Sequence, residues 1–180
     1  MSYIDRFESA LVNTRDVLGI AENVLVNNSE APLDLDVVGE LFKKIYISAK
    51  KAGIPLEGNC TTIHWNSVDE LAKAVGRNAY FTIGYVVEGG KEFFKFNYED
   101  VELWLKNGPP ERLMLHAWLT LDTMEVIDFT YGSTRAAMDP HLTHLKNSLI
   151  ALSPSEQDEN FYYVPLIVKD DFLDLIRARR

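Results

Sequence analysis

Two apolar runs, 113–121 and 125–131, flank the short step Asp122-Thr123. So brief a connection between two strands allows only an antiparallel pair, because a parallel pair needs a long crossover. A sheet of this kind has to bury a face, and other segments supply its neighbours. Tyr80 to Val87 reads as a buried strand, Gly89-Gly90 as a turn, Phe93 to Tyr98 as a second strand and Phe161 to Val168 as the last.

Helical spacing fills much of the remainder. Ile4, Phe7, Leu11, Val12, Leu18, Val24 and Leu25 mark a helix over 3–26, with a break near Gly19 and a stop at Asn27-Asn28-Ser29 and Pro32. Asp34 or Asp36 caps a second helix through about Lys51, with Val37, Val38, Leu41, Ile45 and Ile47 on its apolar face. Residues 54–65 read as irregular, and Asn66-Ser67 caps a short helix to Val75 that Gly76 stops. Asp100 to Lys106 suits a turn or two of helix, His141 to Leu152 and Asp170 to Arg179 read as helical, and Ser153 to Asn160 is a loop. With helices first and strands after, the expected class is α+β with an antiparallel β-sheet and an N-terminal helical cap.

At 180 residues the chain is expected to form a single domain, 1–180, with 1–52 as the helical cap and 133–180 as a C-terminal strand and helix. It has 18 Lys and Arg against 27 Asp and Glu, a net charge of −9. That balance repels polyphosphates, so a nucleic-acid partner is not expected. Arg177, Arg179 and Arg180 form a basic cluster that suits the end of a helix. No basic segment precedes an apolar core at the N-terminus, and the most apolar stretch, Ala79 to Val87, is too short to cross a membrane. A soluble, cytoplasmic protein without a membrane partner is expected. A lone cysteine excludes an intrachain disulfide and a Cys-rich zinc site.

The residues that carry chemistry are Cys60, His116 and Asp128. A thiol needs a base to become a thiolate at neutral pH, and the base needs a carboxylate or amide to fix its tautomer. His116 lies in Leu-His-Ala-Trp-Leu before the turn at Asp122-Thr123, and Asp128 lies in Val-Ile-Asp-Phe-Thr after it. Cys60 lies in Glu-Gly-Asn-Cys-Thr-Thr, ahead of the short helix, where backbone N–H groups favour a thiolate. Asp128 stands between Ile127 and Phe129, where a carboxylate is costly unless paired, and His116 is its natural partner. Trp118 shares a strand face with His116 and can shield that pair or simply pack in the core.

His116-Ala117-Trp118 followed by Asp128-Phe129-Thr130, with Gly76 and Gly84-Tyr85-Val86 upstream, resembles the transglutaminase-like branch of the papain-type cysteine hydrolases. The resemblance covers about residues 56–132, the expected transglutaminase-like core. It implies a papain/transglutaminase-like fold, in which Cys60 attacks an amide or ester carbonyl, His116 moves the proton and Asp128 orients the imidazole. The Cys60 backbone N–H would meet the oxyanion, with a side-chain donor from Asn59 or Asn66. The implied partner is a peptide, amide or ester substrate, and no cofactor is implied.

Two other readings stand beside it. Some bacterial relatives carry Cys-His-x-Asn at the nucleophile, and the similar run here is Ile63-His64-Trp65-Asn66. In that register Ile63 takes the nucleophile position, and the chain is a catalytically inactive domain serving as a binding or regulatory module. Asp139-Pro-His-Leu-Thr-His144 puts His141 and His144 three apart, a spacing that can hold a metal, but no Glu stands between them as in the metalloprotease motif. A solvated face is the simpler account, and no metal site is expected.

Overall fold

The computed structural model describes residues 1–19, 24–27 and 32–178, and it mixes helices with antiparallel sheet. The chain divides into two compact units, Met1–Val24 with Phe81–Ala117 and Pro154–Arg180, and Leu25–Tyr80 with Trp118–Ser153. Asn28, Ser29, Arg179 and Arg180, read above as a helix stop and a basic cluster, lie outside the described residues.

In the first unit, α1 (Tyr3–Leu18) starts at a capping box: Ser2 Oγ accepts the Asp5 N–H and Asp5 Oδ2 accepts the Ser2 N–H. It ends at Gly19 in the left-handed conformation, φ 68°, so the expected break near Gly19 is a true helix end. Tyr3, Phe7, Ala10 and Thr14 form its buried stripe, packed on β6 (Phe161–Val168). Strand β1 (Ala79–Glu88), which enters this unit at Phe81, pairs antiparallel with β6 from Thr82↔Val168 to Glu88↔Phe161, with an irregularity between Ile83 and Gly84. On its other edge β1 forms a hairpin with β2 (Lys91–Phe93). The connecting Gly89 and Gly90 have φ of 57° and 73°, a two-residue turn that side chains would strain.

The expected second strand, 93–98, stops at Phe93. Phe94 turns left-handed, φ 66°, and Asn97 with Asp100 makes a capping box that starts α4 (Tyr98–Asn107). Four aromatics in six residues suggested alternation, but the cap decides the local structure. The last helix, α6, is short, Phe172–Leu175, where 170–179 was expected. The chain becomes left-handed at Arg177, φ 60°, and the N–H groups of Arg177 and Ala178 close onto the carbonyls of Asp174 and Leu173.

In the second unit, α2 (Leu35–Lys51) is capped by Asp34, one of the two expected candidates: its Oδ1 accepts the N–H groups of Asp36 and Val37, and Asp36 lies in the first turn. Val38, Leu41, Ile45 and Ala49 form its buried stripe, while Ile47, expected on that face, is exposed. It packs against α3, which runs Cys60–Val75 and not from Asn66. Asn66 and Ser67 therefore stand mid-helix, and their side chains donate back to the carbonyls of Thr62 and Ile63.

Strand β3 (His116–Leu121) enters this unit at Trp118 and pairs antiparallel with β4 (Val126–Asp128) through Leu119↔Ile127 and Thr120↔Val126, the hairpin expected around Asp122-Thr123. Asp122 Oδ2 accepts both the backbone and side-chain N–H of Asn78, and Arg77 Nη1 donates to Thr123 Oγ1 and Glu125 Oε1. The end of α3 is thereby tied to that turn.

Beyond Asp128 the chain departs from expectation. It forms α5 (Tyr131–Met138), then a 3₁₀ segment at Pro140–Leu145, then β5 (Ile150–Leu152), antiparallel to β4. The helix expected over 141–152 is broken at Asn147, φ 60°. The unexpected α5 carries Gly132, Ser133 and Thr134, poor helix formers that mask it in the sequence. Tertiary packing requires the glycine: a Cβ on Gly132 would fall 2.8 Å from the Leu145 carbonyl oxygen and nearer still to the Ser148 side chain.

Candidate active site

Cys60 is the first residue of α3 and is almost wholly buried, at 9% exposure. The loop before it is tied down at each step. Gly58, φ 72°, donates its N–H to Thr134 Oγ1. Asn59 Nδ2 donates to the carbonyls of Pro55 (2.9 Å) and Glu57 (3.2 Å). Asn59 thus stands at the cap position but makes no side-chain cap bond, and no acidic residue occupies the first turn. The positive end of the helix backbone is left to whatever lies at Cys60.

One turn on, His64 is fully buried and joins three elements. Its Nδ1 lies 2.8 Å from the Cys60 carbonyl, which can only accept, so Nδ1 carries the proton. Its Nε2 receives the Phe129 N–H at 2.9 Å, so Nε2 presents its lone pair. These two bonds assign the neutral Nδ1–H tautomer. Nε2 also lies 3.4 Å from Asp128 Oδ1. The two side chains accept from one row of backbone donors: the Phe129 N–H meets His64 Nε2, and the Thr130 and Tyr131 N–H groups meet Asp128 Oδ1. The His64 ring stacks on Phe129 (5.4 Å), and Phe129 stacks on Phe42 of α2 (5.9 Å).

Asp128 ends β4 and is fully buried. Its Oδ1 accepts from the Thr130 N–H (2.8 Å), the Thr130 hydroxyl (3.2 Å) and the Tyr131 N–H (2.9 Å). The carboxylate therefore organises the turn into α5, where Thr130, the residue at the cap position, makes no side-chain cap bond of its own. His116 opens β3 in the first unit and is buried, its ring against Phe94 (5.6 Å) and Tyr163 (6.4 Å). Trp118 is fully buried on β3.

Ile63 and Asn66, the residues of the alternative register, line a hollow between α2 and α3 that Ile45, Ala49 and Glu70 also border. Ile63 serves there as helix-packing core. Among the described residues, no three His, Cys, Asp or Glu side chains are grouped to hold a metal ion. His141 lies in the 3₁₀ segment, where its N–H is capped by Asp139 Oδ1.

The arrangement holds Cys60 at a helix start and fixes that turn, through His64, to the turn that carries Asp128. In the sequence, His64 stands out only as part of the Ile63-His64-Trp65-Asn66 run. Its position four residues after Cys60 becomes a signal once Asn59, and not Asn66, is taken as the helix start. With both ring nitrogens committed, His64 acts as a strut and not as a proton acceptor for the thiol. Comparison of the chain with protein-family models, with curated proteins and with solved structures found no match.

Proposed function

We propose that this chain is a cysteine-dependent hydrolase or acyltransferase of transglutaminase-like fold, acting on an amide or ester bond through Cys60, His116 and Asp128. The observation that carries the reading is that Cys60 opens α3 with no side-chain cap on the first-turn amides, while His64 locks its carbonyl to the turn after Asp128. In this mechanism Cys60 Sγ bonds the carbonyl carbon as His116 takes its proton. The oxyanion rests on the Cys60 backbone N–H. The C–N or C–O bond then breaks, and His116 returns the proton to the leaving amine or alcohol. Water or a second amine, deprotonated by His116, releases the acyl group and regenerates the thiol. Of the side-chain oxyanion donors named above, Asn59 has to exchange one of its two carbonyl partners to serve.

A specific observation favours a second reading, a catalytically inactive domain used as a binding or regulatory module. Asp128 Oδ1 already has a structural task in capping the turn into α5. Iodoacetamide alkylation separates the two readings, and because the chain has one cysteine, every added mass reports Cys60. The enzyme reading requires fast labelling near neutral pH that His116→Ala slows by about tenfold or more. Equal, slow labelling of both proteins leaves the binding module.

A further inference from the structure

Arg6, on α1, is a half-buried cation in the first unit whose bonded partners among the described residues are all uncharged. Its Nε donates to the Tyr163 carbonyl (3.0 Å), Nη1 to the Met1 carbonyl (2.6 Å) and Nη2 to Gln157 Oε1 (3.2 Å). The guanidinium carbon lies 4.9 Å from the Tyr162 ring centre. Burial pulls the guanidinium below its ordinary value, and it remains a cation at neutral pH. A guanidinium has five N–H donors, of which these bonds use three.

Gln157 holds that cation in place. Its Oε1 accepts from both Arg6 Nη2 and the Tyr163 N–H (3.0 Å), so the carboxamide cannot be turned round without setting its NH₂ against two donors. Its Nε2 is therefore fixed in place, shut off from solvent and from the hollow, with no hydrogen-bond partner among the described residues. Arg6 is the group that points outward: a half-buried charge without an anionic partner is costly, and such a group marks the place of something negative.

Arg6 and Gln157 line a hollow of about 490 Å³. Tyr85, Tyr162 and Val164 give it an apolar side, and Asp158 and Glu159 an acidic one. The N–H groups of Asn160 and Phe161 hold the Asp158 carboxyl below its ordinary value, so that wall is negative at neutral pH. A plain anion would meet the acidic side, and a plain cation would meet Arg6.

We propose that this hollow binds a small zwitterion, an amino acid or short peptide. Its carboxylate sits on the remaining Arg6 N–H donors, and its ammonium group faces Asp158 and Glu159. The rings of Tyr85 and Tyr162 receive the side chain.

The test is calorimetric titration of the full chain with phenylalanine and with phenylalanylglycine, the stronger binder identifying the natural length. Two controls accompany them: phenylalaninamide, which lacks the carboxylate, and 3-phenylpropionate, which lacks the amine. The key variant is Gln157→Glu. It keeps an acceptor for Arg6 and Tyr163, so the fold is retained, but it sets a negative charge beside Arg6 that competes with the ligand's carboxylate. Binding of a zwitterion that falls about tenfold or more with either control and with Gln157→Glu bears the proposal out. No binding of either zwitterion up to about 10 mM, or equal binding by Gln157→Glu, overturns it. Equal binding of 3-phenylpropionate overturns the assignment of the acidic wall.

Discussion

The Nδ1–H of His64 donates to the carbonyl of Cys60, one helical turn earlier, at 2.8 Å. The same ring accepts the Phe129 N–H, so a single side chain fastens the start of α3 to the end of β4. Removing the polar edges while keeping the stacked ring isolates this role. His64→Phe preserves the contact with Phe129 but strands a buried amide donor, which costs about 1–3 kcal/mol. Urea unfolding of parent and variant measures the loss. No change in midpoint would mean that the strut is incidental.

Gly132 tests the join between α5 and the 3₁₀ segment. A Cβ there would press on the Leu145 carbonyl oxygen and the Ser148 side chain. The backbone oxygen is held by the Ser148 N–H and hydroxyl and cannot yield cheaply. Gly132→Ala should cost about 1–3 kcal/mol as an overpacking substitution, even though alanine is the better helix former. A stabilised variant in thermal unfolding would show that the neighbour relaxes freely.

In the first unit, Thr14 is buried on α1. Its hydroxyl donates to the Ala10 carbonyl (2.7 Å) and accepts the Val168 N–H (3.0 Å) at the end of β6. Thr14→Val keeps the shape and leaves that N–H without an acceptor, an expected loss of about 1–3 kcal/mol. Thr14→Ser keeps the hydroxyl and should lose less. Equal losses in urea melts would assign the effect to packing.

Elements with strong local signals were legible in the sequence. The α2 cap at Asp34, the turn at Gly89-Gly90, the strand over 79–88 and the hairpin around Asp122-Thr123 all stand where their residues indicated. Three features were not legible, each for a physical reason. The start of α3 was hidden because Asn59 spends its side chain on Pro55 and Glu57 and not on the helix, so the more familiar Asn66-Ser67 pair drew the boundary. Helix α5 was hidden because its cap is supplied by Asp128, two residues ahead of the cap position. Asp128 looked chemical because it lies on an apolar strand, yet part of what holds it is this local turn. The partnership of His64 was hidden because it depends on where α3 begins.

Asp158 gives a pH signature. Its carboxyl accepts the N–H groups of Asn160 and Phe161, and these bonds lower it from the ordinary value of 3.8. A group depressed in the folded state stabilises above its unfolded value, and that contribution fades as pH falls through the folded value. Asp158→Ala should therefore unfold earlier than the parent near neutral pH, with the gap closing below 3.8. A gap in melting temperature that persists at about pH 2 would mean that the side chain acts by packing.

Asp128→Asn distinguishes the carboxylate's two roles within one residue. An asparagine Oδ1 can still accept from the Thr130 and Tyr131 N–H groups, so the turn into α5 stands. Stability should stay within about 1 kcal/mol of the parent. What asparagine cannot supply is the negative charge that favours an imidazolium beside a thiolate. If Asp128 orients and charges His116, alkylation of Cys60 near neutral pH should slow by about tenfold or more, and His116→Ala should add little to it, because the two act as one unit. If Asp128 serves only the turn, the labelling rates of Asp128→Asn and the parent coincide. A variant that is badly destabilised, on the other hand, would show that the charge itself holds the turn; Asp128→Glu, which restores the charge, then has to recover part of that loss.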